Sequence, residues 1–338
     1  MKTIVSNDDF NAVDLKPSGL LARYIDLAKT DVRTYILEGN PLKPCPCPAC
    51  QRDEARPAFV KLGLHYQECL ACGTIFIAPR PGDESIEKFY RKSGSRKFWQ
   101  EQLSQSTDLK RKQKIIKPRC EWMMDSTQEH LPEARCLADI YMNHTGYVHE
   151  LESLACFEQK LLVNPWVSFD NRQTPDGIKI VQARDWEKLL ERQVDVLVLF
   201  EVLDRVADVE TFMTNVHRIL KPGGLCFITA ILSSGFDIQT LWDDANNLIP
   251  PDRLNVFSVD GLCSLFDRQG YECLEFSTPG ILDIELVKAG LNKQKKVHSR
   301  FVKQIMEARN NTRREFQRFL QANLLSSYGR VLIRKKER

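Results

Sequence analysis

The run VDVLVLF, residues 194–200, is apolar at every position except the second. A strand exposed on one face alternates apolar and polar residues, whereas a strand buried on both faces is almost continuously apolar. Similar short runs recur around it: RCLADIY, KLLVNP, IKIVQA, LCFITAIL and YECLEFS. Helical segments alternate with these runs. The pattern predicts an α/β fold of the doubly wound class, with a parallel sheet covered by helices on both faces.

Two features near the end of this pattern predict local structure. The segment VADVETFMTNVHRIL has apolar residues at helical spacing, and the KPGG that follows should end the helix, with Gly223 or Gly224 in a left-handed conformation. Near the C-terminus, RVLIRK alternates like a last strand. We expect it to pair antiparallel beside YECLEFS and to close the sheet edge, with residues 280–325 as a helical insertion.

Five of the eleven cysteines are clustered near the N-terminus. Cys47 and Cys50 form one pair with two residues between them, and Cys69 and Cys72 form a second pair, with 18 residues between the pairs. A short spacer lets one turn present two thiolates to a tetrahedral ion, so this spacing predicts a structural zinc site with four protein ligands. Cys45 also has a permitted spacing to Cys50 and is an alternative to Cys47. The glycine after the second pair, at position 73, should adopt a positive φ.

The length of 338 residues favours two domains. Composition changes suggest a helical N-terminal segment (1–42), a zinc ribbon (43–82), a helical connector (83–130) and a larger α/β domain (131–338). The N-terminal residues are polar and acidic, unlike a secretory signal, and no apolar run is long enough to cross a bilayer. We therefore expect a cytoplasmic protein.

Four stretches carry a resemblance to a known family. YQECLACGTIFIAPRPGDESIEKFY resembles the zinc ribbon that precedes some bacterial class I S-adenosylmethionine-dependent methyltransferases. VDVLVLFEVLDRVADVETFMTNVHRILKPGGLCFITA is similar to the block from the fourth to the fifth strand of that family. PPDRLNVFSVDGLCSLFDRQGYECLEFSTPGILDIELV resembles the following segment, and FQRFLQANLLSSYGRVLIRK resembles the last helix and strand.

The resemblance covers residues 43–338 and implies a seven-stranded Rossmann-like methyltransferase fold with a small N-terminal zinc ribbon. It implies S-adenosylmethionine at the carboxyl ends of the first strands, where doubly wound sheets bind ligands. The implied substrate is a small molecule, such as a sugar intermediate in polysaccharide or secondary metabolism.

The resemblance also assigns cofactor-binding residues. In the family an acid ends the first strand and opens the pattern D-x-G-x-G-x-G. Asp139 matches the acid, and Gly146 lies near the third glycine, but Tyr141 and Asn143 stand where the first two glycines are expected. Glycines there let the backbone approach the cofactor closely, so this loop departs from the pattern.

Other cofactor contacts implied by the resemblance follow later strands. Asn164 occupies the position of the carboxylate that binds the ribose hydroxyls, Asp185 can approach the adenine amino group, and Glu201 matches an acid after the fourth strand. Arg205 and Arg253 replace two family histidines. These arginines either bind a phosphate or carboxylate of the substrate or form surface ion pairs. No catalytic base can be named.

Two classes of function are therefore open: a methyltransferase, or a methyltransferase-like scaffold without catalysis that binds partner proteins. Residues 291–338 carry an excess of 11 positive charges, while the whole chain has a net charge of +3. This basic segment suggests an anionic partner, an intramolecular contact or a solvated helix face. RNA methylation is disfavoured, because the chain lacks an Asn-Pro-Pro-aromatic run after the fourth strand and the basic segment has few interleaved aromatic residues.

Overall fold

The computed structural model describes residues 17–104, 107–140, 154, 156–165, 177–292 and 299–337. Seven strands form the larger sheet: β4 Cys136–Ile140, β5 Gln159–Val163, β6 Ile178–Val181, β7 Val194–Phe200, β8 Leu220–Ile231, β10 Tyr271–Ser277 and β11 Tyr328–Lys335. Three more strands precede them, β1 Ala55–Lys61, β2 Leu64–Cys69 and β3 Ile75–Ile77, and the short β9 spans Asn255–Val256.

The larger sheet has the order β6-β5-β4-β7-β8-β11-β10. Strands β4 to β8 are mutually parallel, and β11 is antiparallel to both of its neighbours. The chain therefore starts in the middle of the sheet, builds outward to β6, and returns to build the other half from β7. This arrangement confirms the predicted α/β doubly wound, seven-stranded Rossmann-like methyltransferase fold.

Helices flank the sheet and form most of the N-terminal and inserted segments. They are α1 Ser18–Val32, α2 Asp83–Lys92, α3 Gly94–Phe98, α4 Asp108–Arg111, α5 Lys117–His130, α6 Trp186–Leu189, α7 Val209–Ile219, α8 Phe236–Leu241, α9 Val259–Arg268, α10 Asp283–Asn292, α11 Arg300–Glu307 and α12 Asn310–Ala322. Wider helical turns span Arg33–Leu37, Trp99–Ser104 and Lys112–Ile116, and tighter 3₁₀ turns span Leu203–Arg205 and Trp242–Asp244.

The elements around β7 form as the sequence pattern predicts. All seven residues of β7 are buried, because helices cover both faces of the sheet. The side chain of Asp208 caps α7 by accepting a hydrogen bond from the Thr211 amide at 3.0 Å. The helix ends at Ile219, and Gly223 adopts a φ of +74°. That glycine lies inside β8 and not at the helix end, so the chain passes from α7 into β8 without a loop.

The position of the last strand differs in one respect from the sequence prediction. RVLIRK does lie in β11 and pairs antiparallel with β10, as expected. However, β11 is inserted between β10 and β8, so β10 is the edge strand and β11 does not close the sheet. In this position between two strands, Val331, Leu332 and Ile333 are completely buried.

The N-terminal cysteine-containing segment, called here the cysteine module (residues 43–82), is joined to the larger domain through a shared sheet. Strands β1, β2, β3 and β9 form an antiparallel sheet in that order. Since β9 belongs to the larger domain, Ile75 and Phe76 pair directly with Val256 and Asn255. The module therefore has a fixed position on the larger domain.

The described part of residues 280–325 contains the helices α10, α11 and α12, with short non-helical stretches around them. Parts of the basic segment make contacts inside the protein. The Lys335 ammonium donates hydrogen bonds to the carbonyls of His217 at 2.6 Å and Leu220 at 2.8 Å. Lys336 pairs with Asp267 at 3.1 Å.

Candidate active site and metal centre

The structure brings four cysteine sulfurs together in the cysteine module. The Sγ atoms of Cys47 and Cys72 are 3.6 Å apart, and those of Cys50 and Cys69 are 3.5 Å apart. All four sulfurs lie within 4.8 Å of one another. Thiolates at about 2.3 Å from a tetrahedral zinc ion lie about 3.8 Å from each other. The donor set and its spacing therefore fit one zinc ion with no open coordination position.

Cys45 has a different environment from these four. Its sulfur lies 3.8 Å from the carbonyl oxygen of Ile77 in β3 and donates a hydrogen bond to it. Among the described residues, the four-sulfur group contains Cys47 and not Cys45. Of the two alternatives that the sequence spacing left open, the positions of the sulfurs favour Cys47.

Each cysteine pair lies in a tight turn of the same kind. The amide of Gln51 donates to the carbonyl of Cys47, and the amide of Gly73 donates to the carbonyl of Cys69, both at 2.9 Å. The φ angles of Gly73 and Gln51 are +72° and +62°. The positive φ at Gly73 confirms the sequence prediction, whereas the same conformation at Gln51 was missed because glutamine gives no such signal.

The larger domain holds these turns by hydrogen bonds. The Ser233 hydroxyl donates to the carbonyl of Gly73 at 2.8 Å, and the Arg268 guanidinium donates to the carbonyl of Ala49 at 3.0 Å. The Ser258 hydroxyl donates to the carbonyl of Cys72. Loss of the turns would therefore leave Ser233, Ser258 and Arg268 of the larger domain without these hydrogen-bond acceptors.

The second candidate site lies at the carboxyl edge of the parallel strands. Asp139 is the second-last residue of β4, Asn164 directly follows β5, Asp185 follows β6, and Glu201 directly follows β7. Because these strands are parallel, their carboxyl ends meet at one edge. Four of the five predicted cofactor residues therefore share this edge, and the fifth, Gly146, lies outside the described residues.

These residues differ in exposure. Asp139 and Asn164 are buried, whereas Asp185 is exposed. Burial raises the pKa of Asp139 to about 8. A buried carboxyl group with a raised pKa is stabilised in its charged form when a cation binds next to it. The edge thus offers a site suited to a cationic group.

Glu201 is held in a strained backbone conformation at the end of β7. Its φ is +57°, and its amide donates to the carbonyl oxygen of Thr229 at 2.9 Å and to the hydroxyl of Thr229 at 3.1 Å. Its two carboxylate oxygens accept hydrogen bonds from Arg119 at 2.8 Å and Arg253 at 3.0 Å. Backbone strain of this kind is concentrated at functional sites.

The carboxylate of Asp252, whose side chain is 14% exposed, joins four segments of the chain. It accepts hydrogen bonds from the hydroxyls of Tyr24 and Tyr90 at 2.9 and 2.8 Å. Arg96 and Arg205 form ion pairs with it at 3.2 Å. Burial opposes ionisation, but the neighbouring guanidinium groups outweigh it and hold the pKa of Asp252 below its usual range.

The structure places both predicted substrate-binding arginines in ion pairs, but not at the surface. Arg205 pairs with Asp252, and Arg253 pairs with Glu201 and with Asp204 at 3.2 Å. The side chains of Arg205 and Arg253 are only 4% and 8% exposed. Their charges are compensated within the protein, so their role as anion receptors for a substrate stays a prediction.

Sequence reasoning missed Arg119 and Asp252. Arg119 lies on the same side of α5 as Trp122, Met123 and Ser126, which are buried. An arginine on the same side of a predicted helix as Trp122 and Met123 is the sequence signal that could have identified it. Asp252 directly precedes Arg253 in PPDRLN, and nothing in the local pattern separates it from an exposed turn residue.

Part of the chain is similar to known methyltransferases. Residues 122–275 match the family model of a methyltransferase domain. The chain is 28% identical over 97 residues to a ubiquinone biosynthesis O-methyltransferase from Rhizobium johnstonii. The matched segment covers 29% of this chain and 34% of the relative. A relative of the same description from Rhizobium etli is 27% identical over 97 residues. The matched segment thus spans about a third of these relatives.

Some solved structures of methyltransferases are similar to this chain at low identity. The 1,6-didemethyltoxoflavin-N1-methyltransferase from Burkholderia thailandensis is 12% identical, with a TM-score of 0.44, over 84% of this chain and all of that chain. An S-adenosylmethionine-dependent methyltransferase from Archaeoglobus fulgidus is 14% identical, with a TM-score of 0.41, over 67% of this chain and 98% of that chain. No helix in the described part of the chain is long and apolar enough to span a membrane.

Proposed function

We propose that the protein binds S-adenosylmethionine at the carboxyl edge of β4 to β7 and transfers its methyl group to a small molecule. The observation that carries this proposal is the set of polar residues, Asp139, Asn164 and Glu201, at the ends of adjacent parallel strands in a segment that matches a methyltransferase domain. The sequence relatives named as O-methyltransferases of ubiquinone biosynthesis support a small-molecule acceptor.

The chemistry of the edge fits the proposed cofactor. S-adenosylmethionine supplies an electrophilic methyl group on a sulfonium and also carries an ammonium group. Asp139 would bind the ammonium, because an adjacent cation restores the charged form that burial disfavours. The Asn164 amide can donate to and accept from ribose hydroxyls, and Asp185 can accept from an amino group of the adenine.

Methyl transfer from a sulfonium is an in-line displacement, so its rate depends on alignment of the acceptor. Glu201 suits a positioning role. Because one oxygen accepts from Arg119 and the other from Arg253, the carboxylate is fixed in orientation beside the edge. We therefore assign Glu201 to shaping the acceptor side of the site.

We further propose that Cys47, Cys50, Cys69 and Cys72 bind one structural zinc ion. Support comes from the separations of their sulfurs and from the two matching turns. A site with four protein ligands has no position for substrate or water. The zinc would stabilise the cysteine module, whose third strand pairs with β9 of the larger domain.

The raised pKa of Asp139 predicts an unusual effect of Asp139→Asn. In the free protein the folded-state pKa is about 8, whereas an unfolded aspartate has a pKa of about 4. Between these values the folded state holds a proton that the unfolded state has lost, so this group destabilises the fold progressively as pH rises. Without cofactor, Asp139→Asn should therefore be more stable than the wild type at pH 8, by about 1–3 kcal/mol.

Urea unfolding of both proteins at pH 5 and pH 8 measures this effect. The advantage of Asp139→Asn should be clear at pH 8 and smaller at pH 5. The same variant should bind S-adenosylmethionine at least about tenfold more weakly, because it lacks the carboxylate. A variant that is equally destabilised at both pH values, with unchanged cofactor affinity, would remove Asp139 from the proposed site.

The proposed activity is tested with S-adenosylmethionine that carries a trideuteromethyl group. The zinc-replete protein is incubated with this compound and a small-molecule extract, and mass spectrometry detects acceptors that gain the labelled methyl group. Asp139→Asn under identical conditions is the matched control. Labelled products that form with the wild type and are reduced with Asp139→Asn support methyl transfer, whereas their absence together with undetectable cofactor binding contradicts it.

A further inference from the structure

Arg330 occupies a distinctive position on β11. It lies directly opposite Thr229 of β8 and Ser277 of β10, close to the carboxyl edge of the sheet. Its guanidinium carbon is 5.6 Å from the centre of the Trp122 ring and 5.8 Å from the centre of the Tyr328 ring. Stacking on aromatic rings holds the planar guanidinium in orientation and leaves its edges for hydrogen bonds.

The charge of Arg330 has no partner within the described part of the chain. Its Nε atom is buried without a hydrogen-bond partner, and the guanidinium contacts aromatic rings but no carboxylate. The four buried arginines of the neighbouring cluster differ, since each pairs with a carboxylate: Arg96, Arg119, Arg205 and Arg253. A buried donor on a charged group is costly unless an acceptor satisfies it.

Two short routes connect Arg330 with Glu201. Thr229, opposite Arg330, accepts a hydrogen bond from the Glu201 amide at 3.1 Å. Tyr328, whose ring lies against Arg330, accepts a hydrogen bond from Arg119 at 2.7 Å, and Arg119 in turn pairs with Glu201. Arg330 therefore lies on the side of the edge that belongs to β7, β8 and β11, away from Asn164 and Asp185.

We propose that Arg330 is the anion receptor of the acceptor site and binds an oxyanion of the substrate, a carboxylate or a phosphate. This inference rests on the proposed methyl transfer. The guanidinium of Arg330 would bind the methyl acceptor, and the end of the edge formed by β4 to β6 would bind the cofactor. A guanidinium fork binds either oxyanion through two parallel hydrogen bonds. Half-buried Arg330 is reachable from solvent, unlike Arg205 and Arg253.

The test measures binding of three probes of similar shape: benzoate, phenyl phosphate and the neutral benzamide. Ligand-observed NMR titrations are run on the wild type, Arg330→Gln and Arg330→Lys, with and without saturating S-adenosylhomocysteine. We expect the wild type to prefer an oxyanion probe over benzamide by about tenfold or more. Arg330→Gln should abolish this preference, and Arg330→Lys should retain only part of it, because lysine keeps the charge but not the fork.

The three probes distinguish the possible results. A preference for benzoate indicates a carboxylate acceptor, and a preference for phenyl phosphate indicates a phosphorylated one. Equal binding of all three probes, or no binding of any, overturns the inference, and this outcome needs only the wild-type protein. S-adenosylhomocysteine binding is measured in the same samples. If it fails while the oxyanion preference persists and depends on Arg330, the proposed methyl transfer is wrong but the anion site stands.

Discussion

Cys69→Ser is expected to abolish zinc binding and to destabilise the whole protein by several kcal/mol. A structural zinc ion contributes on the order of 10 kcal/mol to the folding of small zinc-binding domains, because the site forms only in the folded state. Here the loss would spread beyond the module, since Cys69 ends β2 and the module shares a sheet with β9. Metal analysis should show zinc falling from one ion per chain to none, and thermal unfolding should begin at a lower temperature.

Cys45→Ser is the matched control for this prediction. Cys45 lies in the same module but points its sulfur at the carbonyl of Ile77. This variant should retain one zinc ion and nearly the wild-type stability. Zinc loss in Cys45→Ser combined with zinc retention in Cys47→Ser would show that the ligand set is not the one proposed.

Asp252→Asn is expected to destabilise the fold by about 3–5 kcal/mol, because removal of one member of a buried ion-pair network leaves the others uncompensated. The variant leaves Arg96 and Arg205 buried without their carboxylate partner. It also weakens the hydrogen bonds that tie Tyr24 and Tyr90 to the larger domain. Urea unfolding monitored by far-UV circular dichroism measures the loss.

The pH dependence of this loss has a defined sign. The folded-state pKa of Asp252 is below its usual range, so its stabilisation is present above the unfolded pKa of about 4 and is lost as pH falls further. The difference between wild type and variant should persist from pH 7 to pH 5 and shrink in more acidic solution. Glu38→Gln, which breaks the exposed Arg33–Glu38 pair, should cost less than about 1 kcal/mol. Similar losses in both variants would contradict the account of the buried network.

Local sequence patterns predicted the fold well, because burial determines both the pattern of apolar residues and the position of a strand in the sheet. A strand such as β7, with all residues buried, needs an almost continuously apolar sequence, and VDVLVLF has one. The place of β11 was harder to predict. Its alternation identifies a strand, but the pairing partners depend on which sheet position buries Val331 to Ile333, and this is a property of the whole domain.

The candidate sites likewise contain parts that the local sequence predicts and parts that depend on the whole fold. The cysteine pairs are local, so their spacing alone predicted which sulfurs meet, except for the choice between Cys45 and Cys47. The Asp252 network could not be predicted, because Tyr24 and Tyr90 are 228 and 162 positions away in the chain. Arg205 and Arg253 show the consequence: the sequence identified both residues, but their carboxylate partners became clear only in the folded protein.

We propose that the carboxyl edge of β4 to β7 binds S-adenosylmethionine through Asp139. Isothermal titration of the zinc-replete protein at pH 7, in two buffers of different ionisation enthalpy, tests it most directly. We predict micromolar affinity, about −8 kcal/mol, with release of close to one proton, because binding the cofactor ammonium ionises a carboxyl whose pKa is about 8 in the free protein. No heat of binding at millimolar S-adenosylmethionine, or binding without proton release, would contradict the claim.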